Sequence, residues 1–306
     1  MFGECHAHLI MDGVNYRNAV ALHRSGVMEA VIHERLDIYR EHRISFVRDG
    51  GDALGVSERA AQFAAEYGID YRTPIFAIHK NGHYGGIVGR GFDTMKEYHM
   101  LVKEVRMRGG DFIKVMFSGI MDFSGDGGVN EEPLTRDEIG EMIHIAHEEG
   151  FAVMAHVNGA RAVQDAAELG VDSVEHGNFM DEEALHALAE SHAVWVPTLV
   201  TIANLKGSGR FDDAVIERLE QRQTENIRRG FELGAGIALG SDAGAWHVMH
   251  GQGLLDEYRL FVRALTDEGN VSAGIAGDAG VTGKTSLLEL ERRLNAAEQQ
   301  IRERFR

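Results

Sequence analysis

Eight short apolar runs alternate with longer amphipathic segments along most of the chain, and glycine closes several of the longer ones. Histidine, lysine and aspartate stand in or at the ends of the short runs. Together these observations predict an α/β fold with a parallel sheet, closed as a (β/α)8 or TIM barrel. In such a barrel the chemistry sits at the C-terminal ends of the strands.

The chain has 306 residues, above the ~250 typical of one barrel and enough to bury a large core. Apolar residues make up 44% and charged residues 26%, as in ordinary globular proteins. With 37 glycines against 3 prolines, glycine makes the turns. A net charge of −17 argues against nucleic acid or an anionic membrane as partner. The single cysteine, Cys5, forbids an intramolecular disulfide and suits a reducing compartment. The longest apolar run, around Ala193–Ala203, is broken by Pro197, Thr198 and Thr201. It falls short of the ~20 residues of a membrane span. The first residues lack the basic-then-apolar pattern of a secretory leader. A cytoplasmic location is the expectation.

The strand candidates are Gly3–Leu9, Ile44–Arg48, Tyr71–Ala77, Phe112–Phe117, Ala152–Val157, Ser173–His176, Val194–Pro197 and Ile237–Leu239. The helix candidates are Val27–Glu41, Ser57–Tyr67, Thr94–Arg108, Thr135–Glu149, Ala160–Leu169, Asp181–Ser191, Asp212–Leu233 and Leu254–Thr266. Ser57 and Glu58 read as one helix start, and Thr135 with Glu138 as a capping box. Gly68, Gly150, Gly170 and Gly234 take stop positions. The stretches Lys80–Phe92 and Ser118–Pro133 follow strands three and four and read as active-site loops. The barrel is expected over residues 1–266. A Gly/Asp-rich loop and a charged helix over 267–306 are expected to belong to the same domain.

The centre of the pattern is His6-Ala7-His8. Residues two apart on a strand share a face, so both imidazoles address one point. Strand four carries Lys114 inside the apolar run FIKVMF, and lysine is almost never buried without a partner. Strand five ends at His156, strand six at His176 and strand eight at Asp242. Four imidazoles, one carboxylate and a buried lysine meeting at a barrel mouth suit divalent metal: zinc first, with manganese, iron or nickel as alternatives. Six such residues are too many for one tetrahedral ion and suit two ions. A neutral Lys114 amine can add CO2 to become a carbamate, an anion able to bridge both. Burial and nearby positive charge favour that neutral amine.

The order H-x-H, Lys, His, His, Asp resembles the amidohydrolase superfamily in its binuclear, carboxylated-lysine form. The wording agrees at FIKVMFSG, MAHVNG, SVEHGN and ALGSDAG. It looks closest to the imidazolonepropionase-related and prolidase-like branch, over about residues 3–260. The resemblance implies that His6, His8 and Asp242 hold one ion, that His156 and His176 hold the other, and that carboxylated Lys114 bridges them. A hydroxide shared by the metals would attack a C–N bond of an amide, dipeptide, N-acyl amino acid or cyclic amide. Asp242 would serve as general base, then acid. Two departures stand out. The chain opens almost at H-x-H, so the accessory β-sandwich of many relatives is expected to be absent, and the stretch after Thr266 does not match the usual ending.

Further candidates lie around the mouth. His79, Lys80, His83 and Arg90 sit in the loop after strand three. Related peptidases have a Gly/His-rich loop at this place, so His83, and with it His79, is a candidate substrate contact. Tyr84 is a candidate donor to a tetrahedral oxyanion. Arg48 is read either as a ligand for a substrate carboxylate or as a partner of Asp49 or Asp52. His247 and His250 follow Asp242 and are expected to line the pocket. Cys5 alternates with His6 and reads as core packing on the other face. The partner is a small-molecule substrate, and relatives commonly form homo-oligomers. The alternatives are a lactonase or phosphotriesterase, a mononuclear deaminase, a Schiff-base lyase using Lys114, and a metal-binding protein without catalysis.

Overall fold

Alternating apolar runs and amphipathic segments produce alternating strands and helices. The computed structural model describes residues 2–124, 127–267 and 285–306. Its strands are β1 Glu4–Ala7, β2 Phe46–Asp49, β3 Asp70–Arg72, β4 Ala77–Lys80 and β5 Gly89–Phe92. They continue with β6 Ile113–Met116, β7 Val153–Val157, β8 Ser173–His176, β9 Val194–Val196 and β10 Gly236–Ile237. Neighbouring strands run parallel, in the orders β1-β2-β3 and β10-β9-β8-β7-β6-β4-β5.

The two sheets meet at both ends. The third expected strand, Tyr71–Ala77, is observed as β3, and the chain then bends where Ile75 takes a positive φ of 67° and continues as β4, three residues past the expected end. β3 pairs with β2, and β4 with β6. At the other end, the Cys5 N–H donates to Leu239 O at 3.1 Å, the Asp242 N–H to His6 O at 2.7 Å and the His8 N–H to Ala243 O at 2.8 Å. The strands therefore follow one another in (β/α)8 order, with the helices between them.

Helices form where the amphipathic period predicts them. Arg136–Glu148 carries the Thr135/Glu138 capping box, and Asp213–Leu233 ends on Gly234 in the left-handed region. Two local expectations are corrected, and two short helices are added. The helix Val56–Phe63 is started not by Ser57 but by Asp52, whose carboxylate accepts from the N–H groups of Leu54, Val56 and Ser57. The Ser57 hydroxyl instead pairs with Thr73 at 2.7 Å. The loop expected over 80–92 ends as a strand, β5, because Gly89 and Gly91 let the backbone close on His79. Short helices at Tyr16–Leu22 and Val200–Ala203 had no periodic signal long enough to see.

The side chains of Phe46, Phe112, Met154, Val194, Val196 and Ala238 form one buried cluster with Cys5. Ala297, Ile301 and Phe305, from the last helix Leu287–Arg304 and the residue after it, complete that cluster from below. Strict alternation fails in β1, where the register against β2 shifts between Glu4 and Ala7. A bulge of this kind re-aims side chains. It explains why Cys5 joins this cluster and not the opposite face. The Gly/Asp-rich stretch expected at 267–283 lies, from 268 onward, outside the described residues. Among the described residues no helix is long and apolar enough to cross a membrane.

Candidate metal centre

β1 delivers His6 and His8 as neighbours, their rings 5.4 Å apart. Nε2 of each lies 3.5 Å from Asp242 Oδ1. One ligand atom from each of these three side chains falls within 4.8 Å of the others, so the group could hold a metal ion. His176 packs on His6 at 5.1 Å, and His156 packs edge-on against His176 at 4.6 Å. These two adjoin the group without entering it.

Two of the site residues occupy backbone conformations that non-glycine residues rarely adopt. His176 has φ 67° and Asp242 φ 58°. Such a conformation costs about 1–3 kcal/mol. At His176 its use is plain. Glu175 already faces the barrel interior, and regular alternation would turn the next residue outward. The positive φ brings both inward. Thr198, itself at φ 50°, accepts or donates a 2.7 Å hydrogen bond at His176 Nδ1. That leaves Nε2 as the remaining nitrogen of His176. On His156, Nε2 stands 3.0 Å from Gly119 O and 3.3 Å from Asn158 Nδ2, which leaves Nδ1.

Gly50 leaves room for His8. A Cβ built there would lie 2.2 Å from His8 Cε1. Burial holds all four imidazoles in the neutral form, as metal ligation requires. It lowers His8 and His156 to about 3, with the Lys114 charge adding to the effect. His6 and His176 are lowered well below the ordinary range, also chiefly by burial. Burial likewise raises Asp242 to about 7, against the opposing pull of Lys114.

Lys114 is 1% exposed, and its charge acts on all four imidazoles and on Asp242. Burial brings its amine down to about 8, although Glu175 and Asp242 favour the charged form. Its Nζ has no hydrogen-bond partner. Nor, among the described residues, do His6 Nε2 or Asp242 Oδ1. Buried polar atoms are nearly always satisfied. Three orphans gathered beside His8 Nε2 are what an ion-binding centre leaves behind, and the donor set of imidazole and carboxylate suits divalent metal.

The remaining candidates divide. The Tyr84 ring lies 5.0 Å from His156, and burial keeps its hydroxyl protonated well above the ordinary range. His79 is buried, with Nδ1 3.0 Å from Lys80 O and its ring wrapped by Gly85, Gly89 and Gly91. His83 is half-exposed on the loop between β4 and β5. His247 is exposed and packs edge-on against Trp246 at 4.2 Å. Arg48 is corrected outright. It is fully buried in the barrel floor, bonded to Cys5 O, Ser173 and Glu175, and neither meets the mouth nor pairs with Asp49 or Asp52. His250 is also structural, bonded to Tyr39 and Met11 O.

Glu175, Ser173, Thr198, Asn158 and Gly50 were missed. Glu175 had a signal: a carboxylate inside the apolar run VDSVEHG demands a buried partner, just as Lys114 did. Gly50 had none, because its role depends on a ring from another strand.

The amidohydrolase family model matches residues 81–278, well over half of the chain. The chain belongs to the amidohydrolase family. Uncharacterized proteins of Mycobacterium tuberculosis and Mycobacterium bovis are 28% identical to it over 169 residues, 53% of this chain and 44% of theirs. The match thus spans less than half the length of those relatives. Among solved structures, a prolidase complexed with N-methylphosphonate-L-proline is 22% identical, with a TM-score of 0.65 over 93% of this chain and 77% of that one. A Xaa-Pro dipeptidase with bound methionine is 21% identical, with a TM-score of 0.66 over 86% and 70%. The ochratoxinase of A. niger is 21% identical, with a TM-score of 0.69 over 85% and 66%. These likenesses are of fold.

Proposed function

We propose that the protein is a metal-dependent hydrolase of C–N bonds in a dipeptide, N-acyl amino acid or related amide. His6, His8 and Asp242 would hold one divalent ion, zinc by preference. His156 and His176 would hold a second, with Lys114 as its carbamate between them. The observation that carries this reading is the gathering of buried ligand atoms: His6 Nε2, Lys114 Nζ and Asp242 Oδ1, each without a hydrogen-bond partner among the described residues, with His8 Nε2 3.5 Å from the same Asp242 Oδ1. Membership of the amidohydrolase family and the prolidase-like fold support the choice of bond.

When bound, the ions supply Lewis acidity, which lets water act as a nucleophile at neutral pH. The chain's own residues do the rest. The neutral Lys114 amine attacks CO2, an N–C bond forms, and the displaced N–H proton leaves to solvent, giving an anionic carbamate. Asp242 takes a proton from the attacking water and returns it to the leaving nitrogen. The protonated Tyr84 hydroxyl donates to the oxygen that gains charge at the acyl carbon. His83 and His247 contact the substrate from the mouth, and His79 holds the loop that carries His83 and Tyr84.

A single-ion enzyme is the second reading, since among the described residues the three that bring ligand atoms within 4.8 Å of one another are His6, His8 and Asp242. The test of function is hydrolysis of dipeptide, N-acyl amino acid and lactone panels by chelator-stripped protein, before and after zinc is restored. Turnover of amides that appears only with zinc is expected. Turnover confined to lactones, or turnover indifferent to the chelator, would overturn the proposal.

A further inference from the structure

The barrel floor holds a second buried ionic chain that the proposed chemistry leaves unused. Arg48 of β2 reaches across the interior to β8. Its Nη2 donates to Glu175 Oε1 at 2.8 Å and its Nη1 to Ser173 Oγ at 2.8 Å. Its Nε donates to Cys5 O at 2.7 Å, and the Phe305 ring stacks beneath the guanidinium at 4.4 Å. The Ser173 hydroxyl donates to the same Oε1 of Glu175, at 2.6 Å. The other oxygen, Oε2, lies 2.7 Å from His6 Nδ1. Arg48, Ser173, Glu175 and His6 are all fully buried.

A buried ion pair is weak evidence for stability, because well-packed apolar residues close such a space at least as well. This pair is also asymmetric. Arg48 and Ser173 saturate one oxygen of Glu175, and the other has no partner but His6. The separation of Oε2 and Nδ1 is that of a hydrogen bond, with the ring turned off the ideal angle. On the far side of the same ring, Nε2 faces Asp242.

We propose that Glu175, clamped by Arg48 and Ser173, is the positioning residue that sets the tautomer and direction of His6. Accepting the proton on Nδ1 leaves the lone pair on Nε2, aimed at the centre, and makes it the better donor to a metal. The inference rests on reading His6 as a metal ligand. It gives Arg48 a role in binding metal although Arg48 touches neither metal nor substrate.

The test uses the full chain and zinc. Zinc affinity is measured by competition with a chromogenic chelator for the parent, for Glu175→Gln, and for Glu175→Gln combined with Arg48→Met. The double variant leaves no unpaired buried charge, so it keeps the test alive where the single variant fails to fold. Both are expected to bind zinc about 10–100-fold more weakly. Folded variants that bind zinc as the parent does would overturn the proposal and leave the metal centre standing. A parent that binds no zinc would remove the metal centre itself. A readout free of variants in this chain is nitrogen NMR of histidine-labelled, zinc-loaded parent, with His6 assigned. A proton on Nδ1 is expected there, and a proton on Nε2 would overturn the proposal.

Discussion

At the scale of single residues, the centre depends on groups placed where ordinary residues do not go. Gly50 is the clearest case. Its φ lies outside the left-handed region, so alanine is conformationally acceptable there, yet the added Cβ meets the His8 ring at 2.2 Å. Gly50→Ala should therefore fold and bind zinc at least about tenfold more weakly, as read by chelator competition. Unchanged affinity would mean that His8 is free to move and does not hold the ion. In the proposed mechanism Asp242 carries two roles at once. Asp242→Asn keeps an oxygen able to ligate but loses the proton acceptor, so kcat should fall about 10²–10⁴-fold. An active variant with parental metal content would remove the proton-shuttle role.

At the scale of elements, the loop-and-helix run after β9 is pinned by a carboxyl group far from water. Glu257 accepts from the N–H groups of Leu199 and Val200 at 2.9 and 2.7 Å, next to the Thr198 that holds His176. Burial raises Glu257 to about 8 from the ordinary 4.5. Between those values the folded chain keeps a proton that the unfolded chain has lost. Stability must then fall as pH rises through that window, by up to about 1.4 kcal/mol per pH unit. Glu257→Gln should flatten this slope in thermal unfolding followed from about pH 5 to 8 with chelator present. A parental slope in the variant would place the titration elsewhere. Legibility in the sequence follows the same division. Strands and helices were readable because burial imposes their period, Lys114 because a lysine inside an apolar run demands a buried partner, and His6 and His8 because two imidazoles two residues apart suggest one shared target. Arg48 was misread because an arginine beside Asp49 and Asp52 has local partners on paper. Its real partner, Glu175, lies 127 positions away and comes into reach only when β2 and β8 face each other in the folded chain. The positive φ of His176 and Asp242, and the bulge at Cys5, were invisible for a related reason: no propensity favours them, and the surrounding packing imposes them.

At the scale of the whole molecule, the layers stack along the barrel axis. The last helix seals the floor, Arg48 and Glu175 lie above it, the histidines above them, and Tyr84 with its loop at the mouth. Glu298 of the last helix accepts from the Gly3 N–H at 2.7 Å, and Phe305 packs edge-on against Phe112 at 5.3 Å. Ile301→Ala should cost about 2–5 kcal/mol in chemical denaturation. A cost below about 1 kcal/mol would show that the helix is an ornament and not the floor. The account's central claim is that four histidines, Asp242 and Lys114 form one two-ion centre. It is tested most directly by metal content per chain, measured by plasma mass spectrometry on protein grown with added zinc, beside Lys114→Ala. The account predicts close to two ions per chain in the parent and clearly fewer in the variant. One ion or fewer in both proteins would contradict it.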